Sequence, residues 1–440
     1  MAMKSINTTI SIIVAIMAFS LAACNSQSPP TGEQLAENSI SPTATAIAAI
    51  AVTPTQEIVS GTISIWHSWK ENQVPALLNQ IAAFQEEYPG VQFDVTYVPS
   101  VDLRSSYEQS AQNGRAPDIL LAPAEWGAAF YDQGLVADLS SLVGDELINS
   151  LNFAAFDAGR YGDAITGLPV HISGNVLYRN RKIIPTAPTS FDELISLAQA
   201  ASQQETFGAL LDRGLFFSGG HLEGIGGQIM NPDGSPAFNN EKGLAWVQLL
   251  HEFEKAGPTE YADENDIQLF LEDRLGMMIE SSGIRQDLAE AIGAENLAID
   301  PWPIYKEGTL SGFVQSENVY INPQALEDDP MITWEFVQSL FTPEAQAGLE
   351  KVSLIPALLP SRITAAGGGG QIEDTPIPQV MQALAGGSTY PARKEMAIYT
   401  PYLDIALQSI FNGESSPADA LQMAADSIMA ELATLPAPTP

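Results

Sequence analysis

Beyond residue 24 this chain has no cysteine, and over its full length only Cys24. Structural disulfides and cysteine-ligated zinc are thereby excluded. Histidine is almost as scarce. The four, at positions 67, 171, 221 and 251, have no metal-ligating spacing, and no metal or cofactor is expected. Positive charge is short too: 18 Lys+Arg stand against 53 Asp+Glu, a formal net charge of −35. Such a surface repels nucleic acid, whose binding relies on cations meeting phosphates, and it repels anionic lipid headgroups. It favours solubility in a crowded exterior and carries no information about a substrate. After the first two dozen residues no apolar run reaches the roughly 20 residues that span a bilayer. A fold without disulfides must be held by its core, and the remaining chain is long enough for two domains.

What is present begins at the N-terminus. A lone early Lys4, an apolar stretch over 10–22 and the run Leu21-Ala22-Ala23-Cys24 have the layout of a secretory signal: charged start, short apolar segment, small residues at the cut. A cysteine just after the cut reads as a lipobox, whose thiol accepts a diacylglycerol and becomes the new N-terminus. Alkyl chains then anchor the protein by burying methylenes, at about 0.8 kcal/mol each. The alternative, a buried cysteine in an uncleaved membrane helix, needs a longer apolar stretch. Residues 1–23 are thus expected to be a leader, and Cys24 the lipidated start of a chain held outside the cytoplasmic membrane. Residues 24–59, rich in Ser, Thr, Pro, Ala and Gln, offer too few large side chains to offset ordering entropy. They read as a tether spanning on the order of 30 Å.

Ordered structure is expected from about Gly61. Thr62-Ile63-Ser64-Ile65-Trp66 alternates as a half-buried strand does, and Leu77, Leu78, Ile81 and Phe84 recur at helical spacing over 74–88. Pro89-Gly90 stops that helix, and residues 91–97 read as a second strand. Strand, helix, strand within 40 residues indicates a parallel βαβ unit. A helix over 103–113 and an apolar strand over 119–122 continue the α/β pattern. Ligands in such sheets sit beyond the carboxyl ends of strands, here Trp66-His67-Ser68-Trp69 and Pro123-Ala124-Glu125-Trp126. The stretch 172–310 is less regular. It holds a turn at Asn231-Pro232-Asp233-Gly234, helices over 241–254 and 266–273, and a short buried strand over 276–279. Helices follow over 332–340, 343–351 and 418–432. Gly367 to Gly370 reads as a surface loop, and Asp263-Glu264-Asn265-Asp266 as a helix cap, lacking the glycine and terminal glutamate of a calcium loop.

Several pieces, taken in order, resemble one family. They are Ile63-Ser64-Ile65-Trp66 entering His67-Ser68-Trp69, Phe84-Gln85-Glu86-Glu87-Tyr88-Pro89-Gly90, Gly114-Arg115-Ala116-Pro117-Asp118-Ile119 and Gly134-Leu135-Val136-Ala137-Asp138-Leu139. Gly167-Leu168-Pro169-Val170 leads to Leu177-Tyr178-Arg179-Asn180, and Pro188-Thr189-Ser190-Phe191-Asp192-Glu193-Leu194 follows. Gly226-Gly227-Gln228, Gly276-Met277-Met278-Ile279 and Phe341-Thr342-Pro343-Glu344-Ala345-Gln346 complete the set. From about 60 to 430 the chain resembles the group-1 extracellular solute-binding proteins of ABC importers, the maltose-binding-protein-like type. The resemblance implies an α/β, two-lobed periplasmic-binding-protein fold of type II, closing on a sugar. It implies crossings near 169–172, 302–312 and 356, giving lobes at 60–170 with 311–356 and at 171–310 with C-terminal helices at 357–435. Its implied partners are a carbohydrate and the transmembrane subunits of a permease, with the chain itself a monomer.

Sugar sites combine aromatic platforms with carboxylates and amides. On the family's ligand edge, Trp69 is a candidate platform, and His67, Ser68 and Lys70 are candidate hydroxyl partners. Glu125 matches, counting from Asp118, a position where the family's maltose binders place a ligand-bonding aspartate; its alternative is a carboxylate at a helix N-terminus. Trp126 adjoins it, and Asp118 itself reads as structural. Counting back from Gly226-Gly227 lands on Phe216, with Phe217 adjacent, one of them a platform. His221 and Glu223 lie in the same Gly-rich loop. Tyr399 stands near a C-terminal family aromatic, Trp302 in a rigid hinge segment, and Glu317 where the chain returns to the first lobe. Trp246 and Trp334 read as core. One departure bears on the ligand: after Gly-Met-Met-Ile the run Glu280-Ser281-Ser282-Gly283-Ile284-Arg285 lacks the family's tryptophan. A different oligosaccharide or a smaller polar solute then fits as well as maltose.

Capture needs only an open–closed equilibrium biased by the ligand. An exported glycoside hydrolase would need two carboxylates about 5–10 Å apart, and no motif isolates such a pair. No Gly-x-Ser-x-Gly, His-Glu-x-x-His or phosphate loop occurs either, so no enzyme is expected. A sensor subunit that docks a receptor is indistinguishable from an importer subunit at this level.

Overall fold

The computed structural model describes residues 59–260, 265–328, 330–365 and 377–434. Cys24, the tether through residue 58, and Gly367 to Gly370 lie outside the described residues. The first strand, Ser60–His67 (β1), pairs in parallel with Gly90–Tyr97 (β2) through the helix Val74–Glu87 (α1). Ile63 and Ile65 alternate into the core from β1. Leu77, Ile81 and Phe84 bury one face of α1, each stabilising by about 1.5–3 kcal/mol. Ser100–Gln112 (α2) starts three residues earlier than the apolar spacing suggested, because the Pro99 carbonyl accepts the N–H groups of Asp102 and Leu103 at 2.9 Å. It leads to Ile119–Pro123 (β3), parallel to β1, and Gly127–Asp132 (α3). Phe153–Ala158 (α4) is capped by Asn152, whose side chain accepts the Ala155 N–H at 3.0 Å.

The strand Leu168–Asn180 (β4) is long enough to serve two neighbourhoods. Its first part pairs with Phe313–Ile321 (β9) and Ile355–Pro356 (β10). Its second part pairs with Leu275–Ser281 (β7) and Leu297–Asp300 (β8). Phe207–Asp212 (β5) lies parallel to β7 and to Thr259–Glu260 (β6). Ser388–Thr389 (β11) lies parallel to β9. The sheet order is β2-β1-β3-β9-β4-β7-β5-β6, with β8 and β10 on β4 and β11 on β9. The first half of the sheet, β2-β1-β3-β9, therefore meets the second, β7-β5-β6, on β4. Successive side chains of a strand point to opposite faces. Along β4, Val176 and Tyr178 enter one core with Ile65, Leu121 and Phe336, while Leu177 enters another with Met277, Trp246 and Phe313.

Three further helices build the second half: Leu215–Gly224 (α5), Glu241–Glu252 (α6) and Met396–Phe411 (α7). Pro417–Leu432 (α8) packs on α6 and α7. The stretch containing His221 and Glu223, read as a Gly-rich loop, is the helix α5. Its glycines serve close packing. A Cβ on Gly219 would stand 2.6 Å from the Phe313 ring, and one on Gly220 would stand 2.8 Å from the Gly312 carbonyl carbon. Helix propensity, which disfavours glycine, gives way here to contact with β9.

Candidate functional site: a cleft where the two halves of the sheet meet

One wall of the cleft grows from the end of β3. Glu125 and Trp126 follow that strand directly, both half-buried. The Arg104 guanidinium lies 5.9 Å from the Trp126 ring centre and 5.8 Å from that of Phe130. Burial raises the Glu125 carboxyl above its usual range, partly offset by its own backbone N–H and by the charge of Arg104. Beneath it, the Tyr320 hydroxyl donates to the Pro123 and Ala124 carbonyls at 2.8 and 3.1 Å.

The opposite wall is aromatic. Phe216, 36% exposed, opens α5 and meets Phe217 edge-on at 5.2 Å. Tyr390, just past β11, contacts Phe216 at 6.4 Å and Phe313 at 5.3 Å. Its phenol is pushed up first by burial and then by the charge of Glu125, so the carboxylate and aromatic walls share one field. The Asn175 side chain of β4 donates to the Phe216 carbonyl at 2.7 Å and fixes where α5 begins.

At the β9–β4 junction Glu317 pairs directly with His171, at a register shift between Glu317 and Asn318. The Trp69 indole Nε1–H donates to Glu317 Oε1. His171 Nε2 lies 3.9 Å from the same oxygen, and its ring meets Trp69 at 5.7 Å. Burial pushes Glu317 up to about 7, less a contribution from the Trp69 bond, and pushes His171 down to about 4. At neutral pH His171 is thus uncharged, and the contact is a neutral imidazole beside a carboxyl that holds its proton well above the usual carboxylate range.

The expected site residues divide. Glu125, Phe216 and Phe217 gather around Tyr390, with Trp126 next to Glu125 in the chain, while Glu317 lies at the β9–β4 junction; half-buried Ser68 and exposed Lys70 stay in the β1 loop. That loop turns into α1, where the Lys70 carbonyl accepts from Gln73 and Val74. Four candidates require correction. Trp69 is 4% exposed and belongs to the first core with Leu77, Val170 and Leu349. His67 is buried beside it and accepts the Trp69 backbone N–H on Nδ1 at 3.0 Å. Trp302 lies in the second core, its ring 5.6 Å from His221. Tyr399 is fully buried in α7, its hydroxyl donating to the Gly234 carbonyl at 2.7 Å. The rings of Trp69, Trp302 and Tyr399 are spent on packing and offer no platform, and His67, 2% exposed, is too buried to meet a ligand hydroxyl. Asp118 is structural as read, accepting both the N–H and Oγ–H of Ser64 at 2.7 Å.

Two residues of the site escaped the sequence reading. Tyr390 stands in Gly386-Gly387-Ser388-Thr389-Tyr390-Pro391, and an aromatic between glycines and a proline was the available signal for an exposed platform. His171 had none, since its place depends on pairing with β9. Among the described residues no group of three or more His, Cys, Asp or Glu is arranged to hold a metal, and no helix is long and apolar enough to cross a membrane. The side chains on offer at the site are carboxyls and aromatic rings.

A family model described as bacterial extracellular solute-binding protein matches residues 79–366. The chain is 23% identical over 261 residues to the maltotriose-binding protein of Pyrococcus abyssi (strain GE5 / Orsay). That match takes in 57% of this chain and spans little more than half, 56%, of that relative. It is 22% identical over 372 residues to a maltooligosaccharide ABC transporter solute-binding lipoprotein of Streptococcus pneumoniae (strain ATCC BAA-255 / R6), covering 80% of this chain and 84% of the other. Among solved structures it resembles the cyclic alpha-maltosyl-1,6-maltose binding protein of Arthrobacter globiformis. The TM-score is 0.73 at 20% identity, over 85% of this chain and 99% of the other. That likeness shows the two-lobed α/β fold.

Proposed function

This chain belongs to the bacterial extracellular solute-binding proteins, and on that premise we propose that it captures a maltose-type oligosaccharide between two lobes and delivers it to the transmembrane subunits of an ABC importer. The lobes are residues 60–170 with 311–356, and 171–310 with 357–435, joined where β4, β9 and β10 run side by side. The observation that carries the ligand class is the pairing of walls: Glu125 and Trp126 on one side, Phe216 and Tyr390 on the other, with the charge of Glu125 reaching the Tyr390 phenol. Glucose units present hydroxyls at their edges and weakly apolar faces, which such walls complement. The maltooligosaccharide and maltotriose relatives support the same class. Glu125, Glu317, Trp126, Phe216, Phe217 and Tyr390 are assigned to ligand contact, with Ser68 and Lys70 at the rim. Cys24 carries the lipid anchor, the tether lets a monomer reach its permease, and no bond of the sugar is cleaved.

The test is thermal unfolding with maltotriose, other mono- and oligosaccharides, and amino acids and polyamines as controls. A ligand at 100 times its dissociation constant adds about 2.7 kcal/mol. A stabilising shift with maltotriose, recovered intact, is the expected result. Hydrolysed sugar would replace capture with glycosidase chemistry, and a shift with polyamines or amino acids alone would overturn the carbohydrate assignment.

A further inference from the structure

The chain has only 18 Lys+Arg, and two of them are adjacent in one strap. Arg393 and Lys394 lie in the segment 388–395 that runs from β11 to α7. The strap starts on β9, where the Tyr390 N–H donates to the Val314 carbonyl at 3.2 Å. It ends in α7, whose buried side chains belong to the second core. Between these points it touches both halves. Ala392 packs with Ala124 and Ala158 of the first half. Lys394 pairs with Asp132 of α3, and the Arg393 guanidinium lies 5.7 Å from the ring of Tyr161, again in the first half. The same guanidinium donates to the Pro232 carbonyl at 2.6 Å and pairs with Glu395 at 3.2 Å, in the second.

The walls that the strap joins both present an acid. Asp157 of α4 and Glu223 of α5 come from opposite halves and line one cavity of about 420 Å³ with Arg393. Burial first, and then the charge of Asp157, hold the Glu223 carboxyl up to about 8. Asp233 also feels the Arg393 charge. Lys242, the nearby cation of α6, is turned to the Ile225 carbonyl at 2.6 Å. Among the residues lining this cavity, Arg393 is the one cation beside the two acids.

We propose that Arg393 and Lys394 form an electrostatic clasp that holds the two halves together and thereby sets the affinity for an uncharged sugar. They act as positioning residues. Tyr390, on the same strap, stands in the cleft, and the clasp fixes where its ring meets the Glu125 wall. Apparent affinity scales with the population of the binding-competent arrangement, so a contact that touches no ligand still changes it. Salt supplies a specific readout. The Debye length falls to about 3 Å at 1 M, so a neutral ligand acquires a salt dependence that its own chemistry does not provide.

The affinity arm rests on the function proposed above, and the distance arm does not. For the latter, the full chain carrying Cys24→Ser, Val101→Cys and Met423→Cys is spin-labelled at two exposed positions, 86% and 66% accessible, on α2 and α8. The distance distribution is measured without ligand at 20 mM and 1 M NaCl. Arg393→Met with Lys394→Met should lengthen or broaden it at low salt, as 1 M NaCl should in the parent. The swap Asp132→Lys with Lys394→Asp should restore it relative to Lys394→Met alone. In the affinity arm, maltotriose binding to the parent should weaken about threefold to tenfold over the same salt range, and the double Met variant should lose most of that dependence, in keeping with a few exposed ion pairs. Identical distance distributions in the parent and the double Met variant at both salts would overturn the clasp. Loss of maltotriose binding in the parent, with the distance response intact, would instead count against the sugar and leave the clasp supported.

Discussion

Replacing Glu317 by Gln should stabilise this protein at pH 8 far more than at pH 5. Burial raises that carboxyl from an ordinary 4.5 to about 7, so the folded state holds a proton over a window in which the unfolded chain has released it. With the folded state binding more protons, stability falls as pH rises from about 4.5 through 7. Linkage across that shift costs under about 1 kcal/mol at pH 5 and about 3 kcal/mol at pH 8, a change on the order of 2–3 kcal/mol. Glutamine keeps an acceptor for the Trp69 indole and cannot ionise. The assay is urea unfolding of parent and Glu317→Gln at both pH values. Titrating groups away from Glu317, Glu223 among them, are present in both proteins and cancel in the difference, and His171, whose folded value is pushed down to about 4, is uncharged in both at pH 8. A parent-to-variant difference that is the same at pH 5 and pH 8 would refute the reasoning, because it would mean that Glu317 titrates as it does in the unfolded chain.

Three further outcomes follow from the same structure. Phe216→Ala, at a 36% exposed ring, should weaken maltotriose binding by about threefold to tenfold in calorimetry, with little change in unfolding midpoint. Tyr399→Phe removes the buried bond to the Gly234 carbonyl and should cost about 1 kcal/mol of stability; unchanged maltotriose affinity would bear out its place in the core. Gly219→Ala, whose Cβ would stand 2.6 Å from the Phe313 ring, should cost about 1–3 kcal/mol in urea unfolding, and a neutral result would mean that α5 shifts away from β9 without loss.

Local order was legible because it is set by neighbours in the chain. The alternation of Ile63 and Ile65, the spacing of Leu77, Ile81 and Phe84, and the stop at Pro89-Gly90 each act within a turn or a strand, and β1, α1 and β2 follow from them. The two-lobed fold class came instead from motifs taken in order, through their resemblance to one family. Periodicity was a poorer guide at α5, where glycines that weaken an isolated helix are required by contact with Phe313 and Gly312, about 90 residues further on by sequence number. The site was harder still. Trp69 looks like a platform because it is an aromatic in a loop, and Tyr399 because it stands near a C-terminal family aromatic, yet whether a ring faces a cleft or a core depends on what packs over it. The decisive contacts are long-range: Trp69 with Glu317 is 248 residues apart in sequence, and Lys394 with Asp132 is 262. The sequence by itself determined which segments become strands and helices, because hydrophobic burial imposes their periods. Tertiary structure alone decided which carboxyls lie beside which rings, because desolvation and charge depend on distance in space.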